Sequence, residues 1–188
     1  MKKNIILLLI MLCLGVVHAY AQLYRYLETE DGLSSRRVMS IGKDLKGYMW
    51  FLTLEGIDRY NGKQYKHYKL SVNDLPTQQF PNLNSLHIED NGHIWVTGKN
   101  GYIFKYNTFQ DTFDLVLSAS DSIDSKKRLP FTHTNLDKSN HLWLCTKNKQ
   151  YIYHTLNGTF TQLESPIQRE VNYIAQGKGN QYFIGTNN

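Results

Sequence analysis

Histidines, carboxylates recurring at a fixed spacing and one cysteine are the side chains here whose types could do chemistry. The seven histidines include His87, His93, His133 and His141, and none stands at a zinc-ligand spacing from cysteines or acids. His93 and His141 hold the same place in a repeat, which favours a turn or surface role over a metal site. Asp90-Asn91-Gly92 begins like a calcium loop, but the rest of the oxygen-ligand series does not follow. Asp44, Glu89 and Asp137 could supply the paired carboxylates of a glycosidase. They too recur at one repeat position, which points to turn chemistry and not to a unique catalytic pair. Cys145 has no partner for an internal disulfide once the start of the chain is set aside. It follows Trp143-Leu144 and reads as a small buried hydrophobe. No phosphate-binding loop or glycine-rich nucleotide motif is present. The expectation is a chain with no catalytic residue, no metal and no cofactor.

The elements that position these residues come from an internal repeat. Gly47-Tyr48-Met49-Trp50-Phe51, Gly92-His93-Ile94-Trp95-Val96, Asn140-His141-Leu142-Trp143-Leu144 and Asn180-Gln181-Tyr182-Phe183-Ile184 are copies of one pattern, their aromatic anchors 45, 48 and 40 residues apart. Twelve positions before the anchors stand Val38, Leu83, Phe131 and Val171, and six before stand Asp44, Glu89, Asp137 and Gly177. Gly56 and Gly101 follow six positions after the first two anchors. Each unit reads as an apolar strand, a turn built by an acid and Gly or Asn, a Trp strand, a second turn, an aromatic strand and an outer strand. The outer strands are expected at Gln64–Lys69, Thr112–Leu117 and Gly158–Leu163. Four short antiparallel strands in about 40 to 50 residues make one propeller blade. No stretch keeps a 3.6-residue apolar period, so helical repeats compete poorly. Trp50, Trp95, Trp143 and Phe183 share one place in the unit and are assigned to packing between sheets, not to a sugar platform.

The predicted fold is therefore all-β, an incomplete propeller of about three and a half blades. The expected segments are 1–21 an export signal, 22–33 an N-terminal outer strand and lead-in, 34–80, 81–130 and 131–169 three blades, and 170–188 part of a fourth. A closed ring needs more blades, so the chain is expected to be a piece of a larger propeller. Met1-Lys2-Lys3, the apolar run Ile5–Val17 and Ala19-Tyr20-Ala21 give the three parts of a secretory signal peptide. The apolar run is shorter than the roughly 20 residues of a membrane-spanning helix, and no later stretch is apolar enough to span. Removing Lys2 and Lys3 lowers the net charge from +5 to +3. That excess is spread out, apart from Arg36-Arg37 and Lys126-Lys127-Arg128, and does not make a nucleic-acid footprint. Asn157-Gly158-Thr159 matches a glycosylation sequon, which would carry little weight if the source were bacterial.

Asp31-Gly32-Leu33-Ser34-Ser35, Val38, Asp44 to Phe51, Thr53 and Glu55 to Gly62 resemble the first blade of the two-component regulator propeller family. The fourth copy, Phe183-Ile184-Gly185-Thr186, keeps the end of that family's repeat core with Phe for Trp, and the third has Cys145 where Gly is usual. The resemblance implies a periplasmic sensor region of a Bacteroidetes-type hybrid histidine kinase, anchored in the inner membrane and probing glycan-derived oligosaccharides to control transcription. It also implies partners: an oligosaccharide, the remaining blades and signalling domains of the parent, and a second copy in a parent homodimer. Tyr24–Leu27 would form an outer strand closing the ring. Ligand contacts are expected near the start of the inner strands, where the copies differ: Ser35, Arg36 and Arg37, Asn82 and Asn84, Thr132 and His133, and Asn172. Arg36 and Arg37 would suit an acidic sugar. The long connections Leu70–Pro81 and Ala119–Pro130 are either part of a binding face or tolerated insertions. An exported propeller glycosidase or lyase, and a secreted scaffold propeller without signalling, are the alternatives.

Overall fold

The computed structural model describes residues 26–70, 82–117, 130–164, 169–179 and 181–187. The expected export signal, and all of the two long connections but Leu70 and Pro130, lie outside these. A 3-10 turn, Thr29–Asp31, precedes fourteen strands: β1 (Val38–Lys43), β2 (Met49–Thr53), β3 (Gly56–Tyr60), β4 (Tyr65–Tyr68), β5 (Leu83–Ile88), β6 (Ile94–Gly98), β7 (Ile103–Asn107), β8 (Thr112–Leu117), β9 (His133–Leu136), β10 (His141–Cys145), β11 (Gln150–His154), β12 (Thr159–Gln162), β13 (Val171–Gln176) and β14 (Tyr182–Thr186). They form three four-stranded antiparallel sheets in chain order, blades 1 to 3, and the β13–β14 pair that begins blade 4. The chain is all-β, three and a half propeller blades, as its repeat predicts. No helix among the described residues is long and apolar enough to cross a membrane. Of the expected outer strand Tyr24–Leu27 only Tyr26 and Leu27 lie among the described residues, and neither pairs with a strand of these blades. Leu27 instead packs beside Leu33, Phe51 and Tyr60.

Strand alternation explains the stacking. Trp50 and Leu52 point forward from blade 1 into a core shared with Ile94, Val96 and Phe104 of blade 2. Trp95 points forward from blade 2 onto Leu142, Leu144, Tyr151 and Tyr153 of blade 3. Trp143 and Cys145 meet Val171 and Ile174 of blade 4. Each seam thus buries one sheet's Trp face against the rear of the next. The inner strands of blades 1, 2 and 4 carry a register shift at one repeat position, between Val38 and Ser40, Leu83 and Ser85, and Val171 and Tyr173. The β1–β2 type of turn needs a left-handed residue, supplied by Gly47 at φ 86°, Gly92 at φ 88° and, in the third copy, Asn140 at φ 61°.

A buried indole N–H must find an acceptor, and here the acid six residues upstream is that acceptor. Trp50 Nε1 donates to Asp44 at 2.8 Å, Trp95 Nε1 to Glu89 at 2.7 Å and Trp143 Nε1 to Asp137 at 2.9 Å. Asp44 also caps its turn, accepting the amides of Lys46 and Tyr48 at 2.9 Å each. Asp137 does the same for Ser139 and His141 and accepts the Tyr182 hydroxyl of blade 4 at 2.7 Å. Burial acts to raise the Asp137 carboxyl, but donors led by Trp143 and the His141 amide outweigh it and hold it below the usual range. Glu89 serves Trp95 and leaves the His93 amide to Asn91. The turn role read from the sequence is half of this arrangement; the clasp on Trp is the other half.

The fourth copy lacks both halves. Gly177 replaces the acid, Phe183 replaces Trp, and a Cβ on Gly177 would lie 2.9 Å from Phe183 Cε2. Gly177→Asp alone pushes the ring aside, and Phe183→Trp alone gives an indole N–H that meets water in place of a carboxylate, because this ring is 67% exposed. A double-mutant cycle by urea unfolding should give a favourable coupling of about 1 kcal/mol for the pair. Additive single effects would contradict the clasp.

Candidate functional site

The segment ahead of β1 folds back over the rear face of blade 1. Gly32, at φ 108°, ends the 3-10 turn, and Leu33 enters the Phe51–Tyr60 cluster. Ser34 is then set against Asp58, a carboxylate fully buried on β3. The Ser34 amide and hydroxyl both donate to Asp58 Oδ2 at 2.8 Å, and His67 Nδ1, in register on β4, lies 2.6 Å from Asp58 Oδ1. Beside this trio opens a cleft of about 750 Å³, lined by Ser34, Ser35, Arg36, Glu55, His67 and Lys69 among others. Its size suits a small ligand. Serine, histidine and aspartate are the residue types of a hydrolytic triad, but the order differs: Ser34 gives its proton to Asp58, and its hydroxyl also meets Thr53 Oγ1 at 2.9 Å. A nucleophile needs its base within hydrogen-bond reach, and His67 is not Ser34's partner. The arrangement anchors a buried carboxyl group and offers the exposed edge of His67 to the cleft.

The residues expected to meet a ligand all lie at the end of the sheets where the inner strands begin, spread over four blades. Arg36 lines the cleft, its Nη2 3.1 Å from Glu30 and 3.8 Å from Glu28, so its charge is already matched. Arg37 is exposed, its carbonyl accepting the Leu54 amide. Asn82 is exposed, and its carbonyl accepts the Lys99 amide at 2.8 Å. Asn172 pairs side chain to side chain with Asn187. Asn84 and His133 stand at neighbouring inner strands: Asn84 accepts from Thr97, which meets Thr134 next to His133. Thr132 Oγ1 donates to the Cys145 carbonyl. His133 is in register with Cys145, its ring 5.9 Å from that of Tyr173, and burial lowers its pKa. Sequence reasoning passed over Asp58 and His67; the signal available for Asp58 was an acid inside a strand otherwise apolar on that face.

A second cleft, of about 370 Å³, lies at the opposite end between blades 1 and 2, bordered by Lys46, Tyr48, Arg59, His93 and Tyr106. Among the described residues no group of three His, Cys, Asp or Glu side chains could hold a metal. Cys145 is fully buried, and burial pushes its thiol up to about 12.

Two outcomes follow from this geometry. Ser34→Ala removes one of the donors that hold Asp58 and should cost about 1–2 kcal/mol in urea unfolding, with the 27–35 segment losing protease resistance first. Alkylation of folded Cys145 at pH 8 should run at least 100-fold slower than in urea, and equal rates would show the thiol to be accessible.

Neither a protein-family model nor a curated protein matches the sequence. Solved structures do. The extracellular domain assigned to the hybrid two component system BT3049 of B. thetaiotaomicron is similar at 21% identity and TM-score 0.68, over 86% of this chain and 24% of that one. The corresponding domain of BT4673 from the same organism matches at 19% identity and TM-score 0.68, over 86% and 21%. Virginiamycin B lyase from Staphylococcus aureus matches at 18% identity and TM-score 0.60, over 81% and 50%. The chain thus spans about a quarter or less of the sensor chains it resembles. What is shared at these identities is the fold: three and a half blades of a β-propeller, built like a stretch of the extracellular domains of hybrid two-component systems.

Proposed function

We propose that this chain is the N-terminal propeller segment of the periplasmic sensor region of a hybrid two-component histidine kinase and response regulator. The observation that carries the reading is the fold match over 86% of the chain to extracellular domains of such systems. The Asp31-Gly32-Leu33-Ser34 segment and the export signal read from the sequence support it. The segment contributes no kinase chemistry of its own; it supplies rigid blades to a ring whose remaining blades and signalling domains belong to the parent. The ligand is a glycan-derived oligosaccharide, and its binding shifts the balance between two arrangements of a parent homodimer anchored in the inner membrane, which changes transcription. Arg36, Asn84 and His133, at the inner-strand end of the sheets, are the contacts this reading favours, with Arg37, Asn82 and Asn172 around them.

The likeness to a lyase raises an enzymatic reading, in which an exported propeller turns over its ligand. A hydrolase of the serine type would need Ser34 to hand its proton to His67, whereas Ser34 donates to Asp58. Calorimetric titration of the intact parent ectodomain with a panel of oligosaccharides tests both readings. Saturable binding without turnover is the expected result, and Asn84→Ala should weaken it at least fivefold. Turnover of any panel member would establish the enzyme, and binding to none of them would overturn the oligosaccharide sensor.

A further inference from the structure

The rear faces of the blades follow one plan, and blade 1 departs from it at a single row. In blade 2 the residue in register with Val96 is Phe104, and in blade 3 the residue in register with Leu144 is Tyr151. Both rings are buried with the Trp of the preceding blade, Phe104 with Trp50 and Tyr151 with Trp95. The same place in blade 1, in register with Phe51, holds Asp58. On the outer strand His67 stands beside it, where blade 2 has Leu115 and blade 3 has Gln162. A ring at this place would bury apolar surface and ask for no partners. The buried carboxyl group needs them, and it has the Ser34 amide, the Ser34 hydroxyl and His67.

What Asp58 fixes is the orientation of His67. Nδ1 lies 2.6 Å from Asp58 Oδ1, while the His67 side chain as a whole is 48% exposed. A histidine bonded through one ring nitrogen presents the other in a set direction. Here that other atom, Nε2, has no partner among the described residues, and the ring borders the cleft of about 750 Å³. The rest of the lining is polar and balanced in charge. Arg36 is already matched by Glu28 and Glu30. Glu55 of the β2–β3 turn and Lys69 after β4 are exposed, and neither enters a salt bridge among the described residues. A charged ligand would be drawn by one of these two and repelled by the other. Hydroxyl groups suit both: they donate to Glu55, accept from Lys69, and pair with His67 Nε2 whichever nitrogen carries the proton.

Resting on the oligosaccharide reading above, we propose that the cleft on blade 1 is a subsite for an uncharged sugar residue, recognised by His67, Glu55 and Lys69. Asp58 and Ser34 are positioning residues, which hold the imidazole and the lead-in segment in place without touching the ligand. The acidic sugar that Arg36 and Arg37 suggest by their type does not suit this subsite. Arg36 would have to give up Glu28 and Glu30 to meet it, and Arg37 does not line the cleft. Blade 1 thus gives up a packed ring at one row and gains a directed hydrogen-bonding edge.

Calorimetric titration of the intact parent ectodomain with trisaccharides of glucose, mannose, xylose and arabinose, and with tri-galacturonic acid, supplies the test. At least one neutral trisaccharide should bind, and tri-galacturonic acid should bind about fivefold more weakly or less. His67→Asn keeps a side-chain amide near the place of Nδ1, within reach of Asp58, and removes Nε2. It should weaken the neutral ligand about tenfold, as the loss of one hydrogen bond does, with the protease resistance of the 27–35 segment unchanged. Glu55→Gln, on an exposed turn, should weaken it about threefold and takes the place of His67→Asn if that variant does not fold. Equal or tighter binding of tri-galacturonic acid would overturn the uncharged subsite while leaving the sensor standing. Wild-type affinity in His67→Asn, or in Glu55→Gln where it stands in, would do the same. Binding of none of the five would remove the oligosaccharide reading itself, and this subsite with it.

Discussion

An indole buried between two sheets cannot leave its N–H without an acceptor, and the three complete blades are organised around meeting that demand. The acceptor is always the acid that ends the inner strand six residues earlier. That acid lies in the turn leading to the Trp strand, so one side chain closes the turn, orients the ring and fixes the inner strand against its neighbour. The cost of a bare indole N–H in a dry seam is of order 1–3 kcal/mol, comparable with much of what the ring contributes by burial. Trp and the acid are thus bound to one another in the three complete blades, and the fourth copy, with Gly177 and an exposed Phe183, has neither. Glu89 shows how much tolerance there is: a longer side chain still reaches Trp95, but the turn amide passes to Asn91.

Beyond this shared device the seams diverge. The first is locked at its rim by Asp111, a turn residue in the left-handed region that gathers Arg59 and Lys66 from the preceding blade. The second relies on apolar packing and a neutral chain from His87 through Thr134 and Thr97 to Asn84. The third places Cys145 and Trp143 against Val171 and Ile174, with Tyr182 reaching back to Asp137. Charged, neutral and largely apolar joints respond differently to pH and salt. A ring assembled from them has built-in weak and strong points although its blades share one plan.

The lead-in segment shows how a face without a preceding blade among the described residues is managed. Leu33 adds apolar cover, and Ser34 supplies donors to a carboxylate that would otherwise be stranded under it. The cleft beside it is therefore made from three separate stretches: the lead-in, the β2–β3 turn and the end of β4. That is the usual situation for sites on repeat scaffolds, where the strands are rigid and the connections carry the differences.

The blades were legible in the sequence because a sheet stacked between sheets imposes the same demands on every copy: an apolar inner strand, an acid and a left-handed residue at the turn, and an aromatic anchor. Periodicity reads such demands directly, and it also placed Arg36, Asn84 and His133 at the end where the inner strands begin. The pairings between copies were not legible, because they join residues far apart in the chain whose types carry no mutual signal. Nothing in the spacing of Asp58 and His67, of Arg59 and Asp111, or of His87 and Thr134 says that they meet. Register across strands brings the first pair together, and the stacking of one blade on the next brings the others. The sequence alone therefore determined the repeating unit and its turns. Tertiary structure decided which seams carry charge and which do not, because electrostatic environment depends on what covers a residue and not on where it stands in the chain.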